Sequence, residues 1–311
     1  MRGTGTAGDP FVIMTAEDLY AMETAGGQGK YCQLGADIDL NGTPWAEHFQ
    51  PIPLNCSSFD GCGHKIRNVY SVSGDSIVYA FDVMVSGDIN ISDVFLENIV
   101  LTGTSVNLFG SSAEVSAEIK MYRCAVSMVT SRISRDSWHD YTNCILHGDG
   151  ITVSSELCTY ALEGHYSSHF HVIKGGTFVR SQLMLNNKYR GGADSSETYT
   201  ALLSGTAMSD SWLSGSLSTD NSGDRGQRFF FSDEGCSTSN CYVAVDAVNF
   251  GNMFWSANNI TKGFYDGELL GSGQLIPRVG SLGNFDRLTT AQCKDPVYLR
   301  SIGFSCGGGE G

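Results

Sequence analysis

The sequence predicts an all-β protein: a solenoid of parallel coils (a β-helix) with short helices capping both ends. Three observations carry that prediction. The first is composition. Of 311 residues 41% are hydrophobic and only 17% charged, against a usual charged fraction near ~25%. With 38 glycines and 6 prolines, the turns are made by glycine, serine and asparagine. The second is a cadence. Ile89, Ile91, Val94, Leu96, Ile99 and Leu101 are apolar at gaps that alternate between two and three. A helix does not give this, nor does one long strand; two inward residues flanking one outward residue do, with the gap of three turning a corner. The third is that helix-start signals fall near the two ends of the chain.

Taken in order, Phe11 and Ile13 read as a strand, and Thr15-Ala16-Glu17-Asp18-Leu19 as a capping box opening a short helix. The Thr15 hydroxyl can satisfy a free amide, and acidic residues sit at the positive end of the helix. Leu19 and Met22 give it one apolar stripe, and Gly26-Gly27 end it. Tyr31 to Leu34 and Ile38 to Leu40 are short strands, followed by a loop with Pro44, Pro51 and Pro53. From about residue 77 the cadence takes over. It returns at Ile119, Met121, Cys124, Val126 and Val129, more briefly at Tyr141, Cys144 and Leu146, and again at Val243, Val245, Val248, Phe250, Met253 and Trp255. Between about 155 and 235 it is poor, and the coils there are extrapolated. Short strands recurring every few tens of residues are the mark of a coil stack, whose open ends need covering. The Thr15 helix is placed to cover the first. Leu288 to Cys293 and a turn opening at Pro296, stopped by Gly303, offer the second, with Gly307-Gly308-Gly309 as a flexible end. The expected division is a cap and opening module over 1–76, a coil body over 77–280 and a closing cap over 281–311. A β-sandwich would need longer alternating strands.

A formal charge of -14 argues against binding nucleic acid through its backbone. No run approaches the ~20 apolar residues that cross a bilayer, so membrane insertion is not expected. Met1 to Thr6 shows neither the apolar core nor the cleavage site of a secretory signal, so export by the usual route is not expected.

The ten cysteines are scattered, several where an aliphatic residue would sit, as in Arg123-Cys124-Ala125-Val126. They read as reduced, small core hydrophobes, with Cys236 and Cys241 the best disulfide candidate. Cys56, Cys62 and His64 lack zinc-ribbon spacing. The pair His169 and His171, with His165 upstream, would share one face of a strand and could meet one ion, in a trimer with six nitrogens on the axis. An exposed polar strand over 167–171 is the plainer reading, and no metal is expected. Asp37-Ile38-Asp39-Leu40-Asn41-Gly42 matches the first half of a calcium loop. Pro44 and His48 break the second half, so a strand and turn is expected there. No cofactor is expected.

Several segments resemble the opening module of GLUG-type right-handed parallel β-helix proteins. They are Gly5 to Ile13, Thr15 to Leu19, Ala36 to Gly42, and Phe59-Asp60-Gly61-Cys62-Gly63-His64-Lys65-Ile66-Arg67-Asn68-Val69, which is similar to that family's F-D-G-x-G-H-x-I turn. Leu288 to Gln292 through Ser301 to Phe304 resembles its closing segment, without the strand and tryptophan that usually follow. These are turn and cap residues, so they speak to fold. Members of that family include bacterial surface adhesins and tail or fibre proteins of bacteriophages and prophages, and tailspike β-helices commonly form trimers.

The resemblance and the thiol-rich core together point to a bacteriophage virion structural protein. It would be a fibre, tailspike-like or head-decoration component, made in the host cytoplasm and carried on released particles. Its expected partners are other virion proteins, itself as a homotrimer, and a bacterial surface glycan. The alternatives are a secreted adhesin and a polysaccharide depolymerase or lyase. The last would need two carboxylates about 5 to 10 Å apart; Asp88, Asp93 and Glu97 on one coil and Glu118 on the next could supply a pair. No catalytic residue is assigned. Tyr160, Tyr166, Trp212 and Trp138 are candidates for stacking on sugars, with burial at coil corners as the plainer reading. The sequons at Asn41, Asn55, Asn90 and Asn259 read as the arithmetic of a serine- and asparagine-rich surface.

Overall fold

The computed structural model describes residues 1–44, 50–72, 77–103, 105–132, 150–166, 170–174, 176–189, 199–219, 227–231, 237–247, 260–268 and 285–304. The fold is an all-β parallel solenoid with three short helices among these residues. Two compact units are present: Met1–Ile133 with Cys144–Tyr160, and Ser134–Asn143 with Ala161–Gly311.

In the first unit the chain visits three parallel ladders on each turn. The first ladder runs through Phe11–Ile13, Gly27–Leu34, Cys56–Asp60, Gly87–Ser92, Ala117–Tyr122 and Ile151–Glu156. The second contains Ile38–Asp39, Lys65–Val72, Phe95–Gly103 and Ala125–Arg132. The third contains Ile52–Leu54, Ile77–Val83 and Ser105–Gly110. Equivalent positions on successive coils lie 30 residues apart at Asn68 and Asn98 and at Asp93 and Arg123, and the next corner, Leu157, follows Arg123 at a longer interval.

All six apolar residues of the cadence from Ile89 to Leu101 are buried, but the two gaps of three are made differently. Between Ile91 and Val94, Asp93 sits in the left-handed region at φ 51 and forms a one-residue corner. Between Leu96 and Ile99, Asn98 at φ 53 is a bend inside one continuous strand. The strands are therefore six and nine residues long, not the three expected. Asparagine suits this, since its short side chain tolerates the left-handed conformation. The next coil has a single residue, Ser127, opposite Glu97 and Asn98, so its inward phase shifts by one. Met128 and Thr130 are buried where Val129 was expected, and Val129 is half-buried.

The second unit repeats the plan. Its ladders contain Thr177–Val179, Ala207–Ser209 and the start of Ser237–Ala247; Gln182–Tyr189, Trp212–Thr219, the rest of Ser237–Ala247, Ile260–Asp266 and Phe285–Leu288; and Phe170–Lys174, Tyr199–Ser204 and Gln227–Phe231. Arg180, Asp210 and Asn240, at φ 49, 48 and 52, make its corners. Gly215 lies where a Cβ would sit 2.0 Å from the Leu185 carbonyl oxygen of the preceding coil, so no side chain fits. The cadence was poor here because hydroxyls interrupt the apolar inward positions: Ser181, Thr206, Ser211 and Thr238 are all buried, beside Phe178, Leu183, Met208 and Leu213. Val243 is buried as expected. Tyr141, Cys144 and Leu146, the cadence from Val248 to Trp255, and Gly307 to Gly309 lie outside the described residues.

Helix α1 spans Ala16–Ala25, with Thr15 as N-cap accepting from the Asp18 amide and Gly26 as C-cap. It buries Leu19, Tyr20 and Met22 and lies on Ile52–Leu54, the terminal strand of the third ladder. Tyr20 donates to Gln50 O at 2.9 Å, and Asn55 Nδ2 to Glu23 O at 2.9 Å. The expected cap is thus present. At the other end, α2 (Thr290–Cys293) opens on a capping box of Thr289 and Gln292, and α3 (Pro296–Ser301) on Asp295. Cys293, Leu299 and Phe304 join Tyr242, Phe264 and Leu288 in one buried cluster. The closing helices are therefore fixed to the final coils.

The one-residue phase shift has a measurable consequence. Met128→Ala, which empties an inward position, should cost about 2–4 kcal/mol of unfolding free energy, and Val129→Ala under about 1 kcal/mol. Urea unfolding of the two variants checks this; the opposite order would restore the unshifted phase.

Candidate functional surface

Strand alternation sends every second residue outward, and in the first unit these outward residues are joined from coil to coil. Lys120 Nζ reaches Asp88 Oδ2 at 2.7 Å and Glu118 Oε2 at 3.8 Å. Arg123 Nη2 lies 2.6 Å from Asp93 Oδ2, Lys65 Nζ 2.6 Å from Glu97 Oε1, and Arg67 Nε 3.0 Å from Asp39 Oδ2. Ser154 donates to Glu118 at 3.1 Å. Along the second ladder an amide chain runs from Asn98 Nδ2 to Asn68 Oδ1 at 2.6 Å and from Asn68 Nδ2 to Asp39 Oδ1 at 2.7 Å. In the second unit Asn240 Nδ2 donates to Asp210 Oδ1 at 2.6 Å, and Ser216 donates to Asn186 Oδ1 through both its amide and its hydroxyl. In nearly all of these bonds the donor belongs to the later coil and the acceptor to the earlier; Lys65 to Glu97 runs the other way.

Of the four carboxylates considered for glycan chemistry, Asp88, Asp93 and Glu97 are each paired with a cation of a neighbouring coil, while Glu118 lies 3.8 Å from Lys120 of its own strand and accepts from Ser154 of the next coil. The geometry is that of a cross-linked face. Individual pairs of this exposure contribute little to stability. Their effect is to fix which side chain stands beside which.

Tyr160 is fully buried, with its hydroxyl 2.6 Å from Ser155 Oγ and 3.2 Å from Met121 Sδ. It is a core residue and cannot stack on a sugar. Trp212 is partly buried, packed against the cluster that holds the closing helices and edge-on to Tyr242 at 5.0 Å between ring centroids. Its buried indole N–H has no hydrogen-bond partner among the described residues. Both follow the plainer, packing alternative. Trp138 and His169 lie outside the described residues. His171 lies on Phe170–Lys174, paired with Ala201, and Tyr166 ends Thr159–Tyr166. Among the described residues no group of three or more metal-ligating side chains converges.

The calcium-like segment is a strand and turn. Ile38 and Leu40 are buried, Asp39 accepts from the Asn41 amide at 3.0 Å, and Asp37 from His64 Nδ1 and the Lys65 amide at 3.0 and 3.2 Å. The His64 hydrogen bond holds the Asp37 carboxyl below its ordinary 3.8; for Asp39 the Asn68 amide does most of the same. The neighbouring Phe59 to His64 turn has a structural account too. Asp60 accepts from the Cys62 amide, Cys62 and Gly63 have φ 51 and 80, and a Cβ on Gly61 would meet Asp93 O at 2.3 Å.

The cysteines are core thiols, as expected. Cys32, Cys56, Cys124, Cys158, Cys241 and Cys293 are buried and form no disulfide, and Cys62 is exposed. The disulfide considered for Cys241 is replaced by a hydrogen bond from its Sγ to Ser239 O at 3.4 Å; Cys236 lies outside the described residues. A regularity emerges that the sequence did not show. At five left-handed corners the inward residue just after the turn donates to the carbonyl two residues before it, though not at Asp93, which Val94 follows: Cys124 to Tyr122, Cys158 to Glu156, Ser181 to Val179, Ser211 to Ser209 and Cys241 to Ser239. Tyr122 O, Glu156 O, Ser209 O and Ser239 O also accept a backbone amide from the preceding coil, so the small X–H group supplies a second bond to a carbonyl that has two lone pairs. The signal was a recurring cysteine or serine one residue past a polar corner, hidden because two residue types share the role.

No family model matches the chain, and no curated protein does. Among solved structures, the chain is similar to a "putative immunoglobulin A1 protease" from Bacteroides ovatus, with a TM-score of 0.47 and 14% identity over 79% of this chain and 80% of that one.

The lowered Asp37 and Asp39 carboxyls carry a pH signature. With folded values below 3.8, their stabilisation is complete above the unfolded value and is lost as pH falls through the folded ones. Asp39→Asn keeps the acceptor oxygen but not the charge. Its urea midpoint should fall less steeply than that of the natural chain below about pH 4; equal slopes would remove Asp39 from the acid response.

Proposed function

We propose that the chain is a structural component of a bacteriophage or prophage virion: a β-helical fibre, tailspike-like or head-decoration protein serving display or host adsorption. The observation that carries this reading is the thiol core. Two pairs of buried cysteines, Cys32 with Cys56 and Cys124 with Cys158, are within hydrogen-bonding contact yet unlinked. That fits folding in a reducing compartment such as a host cytoplasm. The cross-linked outer face supports the reading as well, since it spends carboxylates on holding coils together. A charge of -14 favours solubility and discourages non-specific contact. In this reading the chain assembles as a homotrimer with other virion proteins, and its lateral faces meet a bacterial surface glycan.

Two measurements test the proposal. Mass spectrometry of purified particles should find the chain at a stoichiometric level; its absence from particles, with recovery from a bacterial surface, would instead support an adhesin. Light scattering of the purified protein should give a mass of about 100 kDa, three times the 33.4 kDa chain; a monomer would remove the trimer.

A further inference from the structure

Cys124 and Cys158 occupy the same corner position on successive coils of the first unit. Each follows a left-handed residue, Arg123 and Leu157. The backbone ladder continues on both sides of them, with Tyr122 in register with Glu156, Arg123 N donating to Glu156 O at 3.1 Å and Thr159 N to Cys124 O at 2.9 Å. Adjacent strands lie about 4.7–4.9 Å apart, within the range of about 4.4–6.8 Å between Cα atoms that a disulfide spans. Both side chains point inward, 2% and 1% exposed, and their thiols are hydrogen-bonded to each other.

We propose that Cys124 and Cys158 are a redox pair that closes to a disulfide, stapling two successive coils, when the protein passes from reducing to oxidising surroundings. The pairing rests on geometry; the virion reading supplies only the change of compartment. A small disulfide oxidant supplies the chemistry. The Cys158 thiolate attacks one sulfur of the oxidant, forming a mixed disulfide and releasing a small thiolate. That thiolate takes the Cys124 proton, and Cys124 Sγ then attacks Cys158 Sγ, displacing the second small thiol. The protein loses two electrons and two protons, and the oxidant becomes two thiols. The order of attack follows from the hydrogen bond between the two thiols, which lowers Cys158 and raises Cys124. Because the pair is enclosed, reaction waits on local opening and is slow compared with that of exposed Cys62.

The test uses the full chain, purified under reductant and then incubated with oxidised glutathione, with a parallel sample refolded from denaturant in the same buffer. Alkylation in denaturant and peptide mapping without reduction should find one cross-link joining the peptides that carry Cys124 and Cys158. Closing a loop of about 34 residues should raise the thermal midpoint by roughly 5–10 °C. Cys158→Ser should fold, as judged by circular dichroism, and lose both the link and the shift, while Cys62→Ser should keep both. The proposal is overturned if both thiols stay alkylatable in both samples, if either cysteine links elsewhere, or if the midpoint does not rise. Its failure is separable from that of the virion reading. A cross-link in a chain absent from particles leaves the pair standing; a particle-borne chain without the link leaves only the virion reading.

Discussion

The backbone ladder between coils is the constraint on which everything else depends. A parallel stack survives only if each coil meets the next in register, and the difficult point is the corner, where a strand stops and its amides turn away. Here one left-handed residue makes the turn, and the ladder passes through it: Asp93 N donates to Tyr122 O, Arg180 N to Ser209 O and Asp210 N to Ser239 O. Holding a non-glycine residue there costs of order 1 kcal/mol. The cost is accepted at every corner because the alternative is an orphaned buried amide on each coil. Beside several corners a small donor, cysteine or serine, adds a second hydrogen bond to the carbonyl just before it.

That corner chemistry decides how much of the fold was legible. Where inward positions are Ile, Val, Leu and Cys, as from Ile89 to Val126, the pattern of twos and threes reads directly as inside and outside. Where Ser181, Thr206, Ser211 and Thr238 take inward positions between Phe178, Leu183, Met208 and Leu213, the apolar trace is interrupted. A hydroxyl inside a solenoid looks like a hydroxyl on its surface until its carbonyl partner is known. The slip at Val129 has a different origin. Spacing records how many residues lie between inward positions, but not whether a bend such as Asn98 has been omitted from one coil. The end helices were readable because caps are local, and Thr15, Thr289 and Asp295 act on amides two or three residues away.

The candidate surface was less legible than the fold. The acids of neighbouring coils could be placed near one another from the repeat, but their cations could not. Lys120 and Arg123 reach partners on the preceding coil, and Lys65 one on the following coil. These choices depend on side-chain reach, which spacing does not encode. Of the aromatic candidates, Tyr160 and Trp212 follow the packing reading: they sit in strands whose alternation and corners turn them toward the core or the closing helices.

The direction of the side-chain ladders gives the stack a vector. Asn98 to Asn68 to Asp39, and Asn240 to Asp210, hand hydrogen bonds backward toward the N-terminus and finish on an acid, which accepts and cannot donate. An amide in the middle of such a row serves both neighbours; the first position needs only to receive. A chain emerging N-terminus first therefore lays down its acceptors before their donors exist. Each finished turn becomes a template that the following turn is already shaped to complete. In these two rows the polarity follows chain order, with aspartate at the start of a row and asparagine along it.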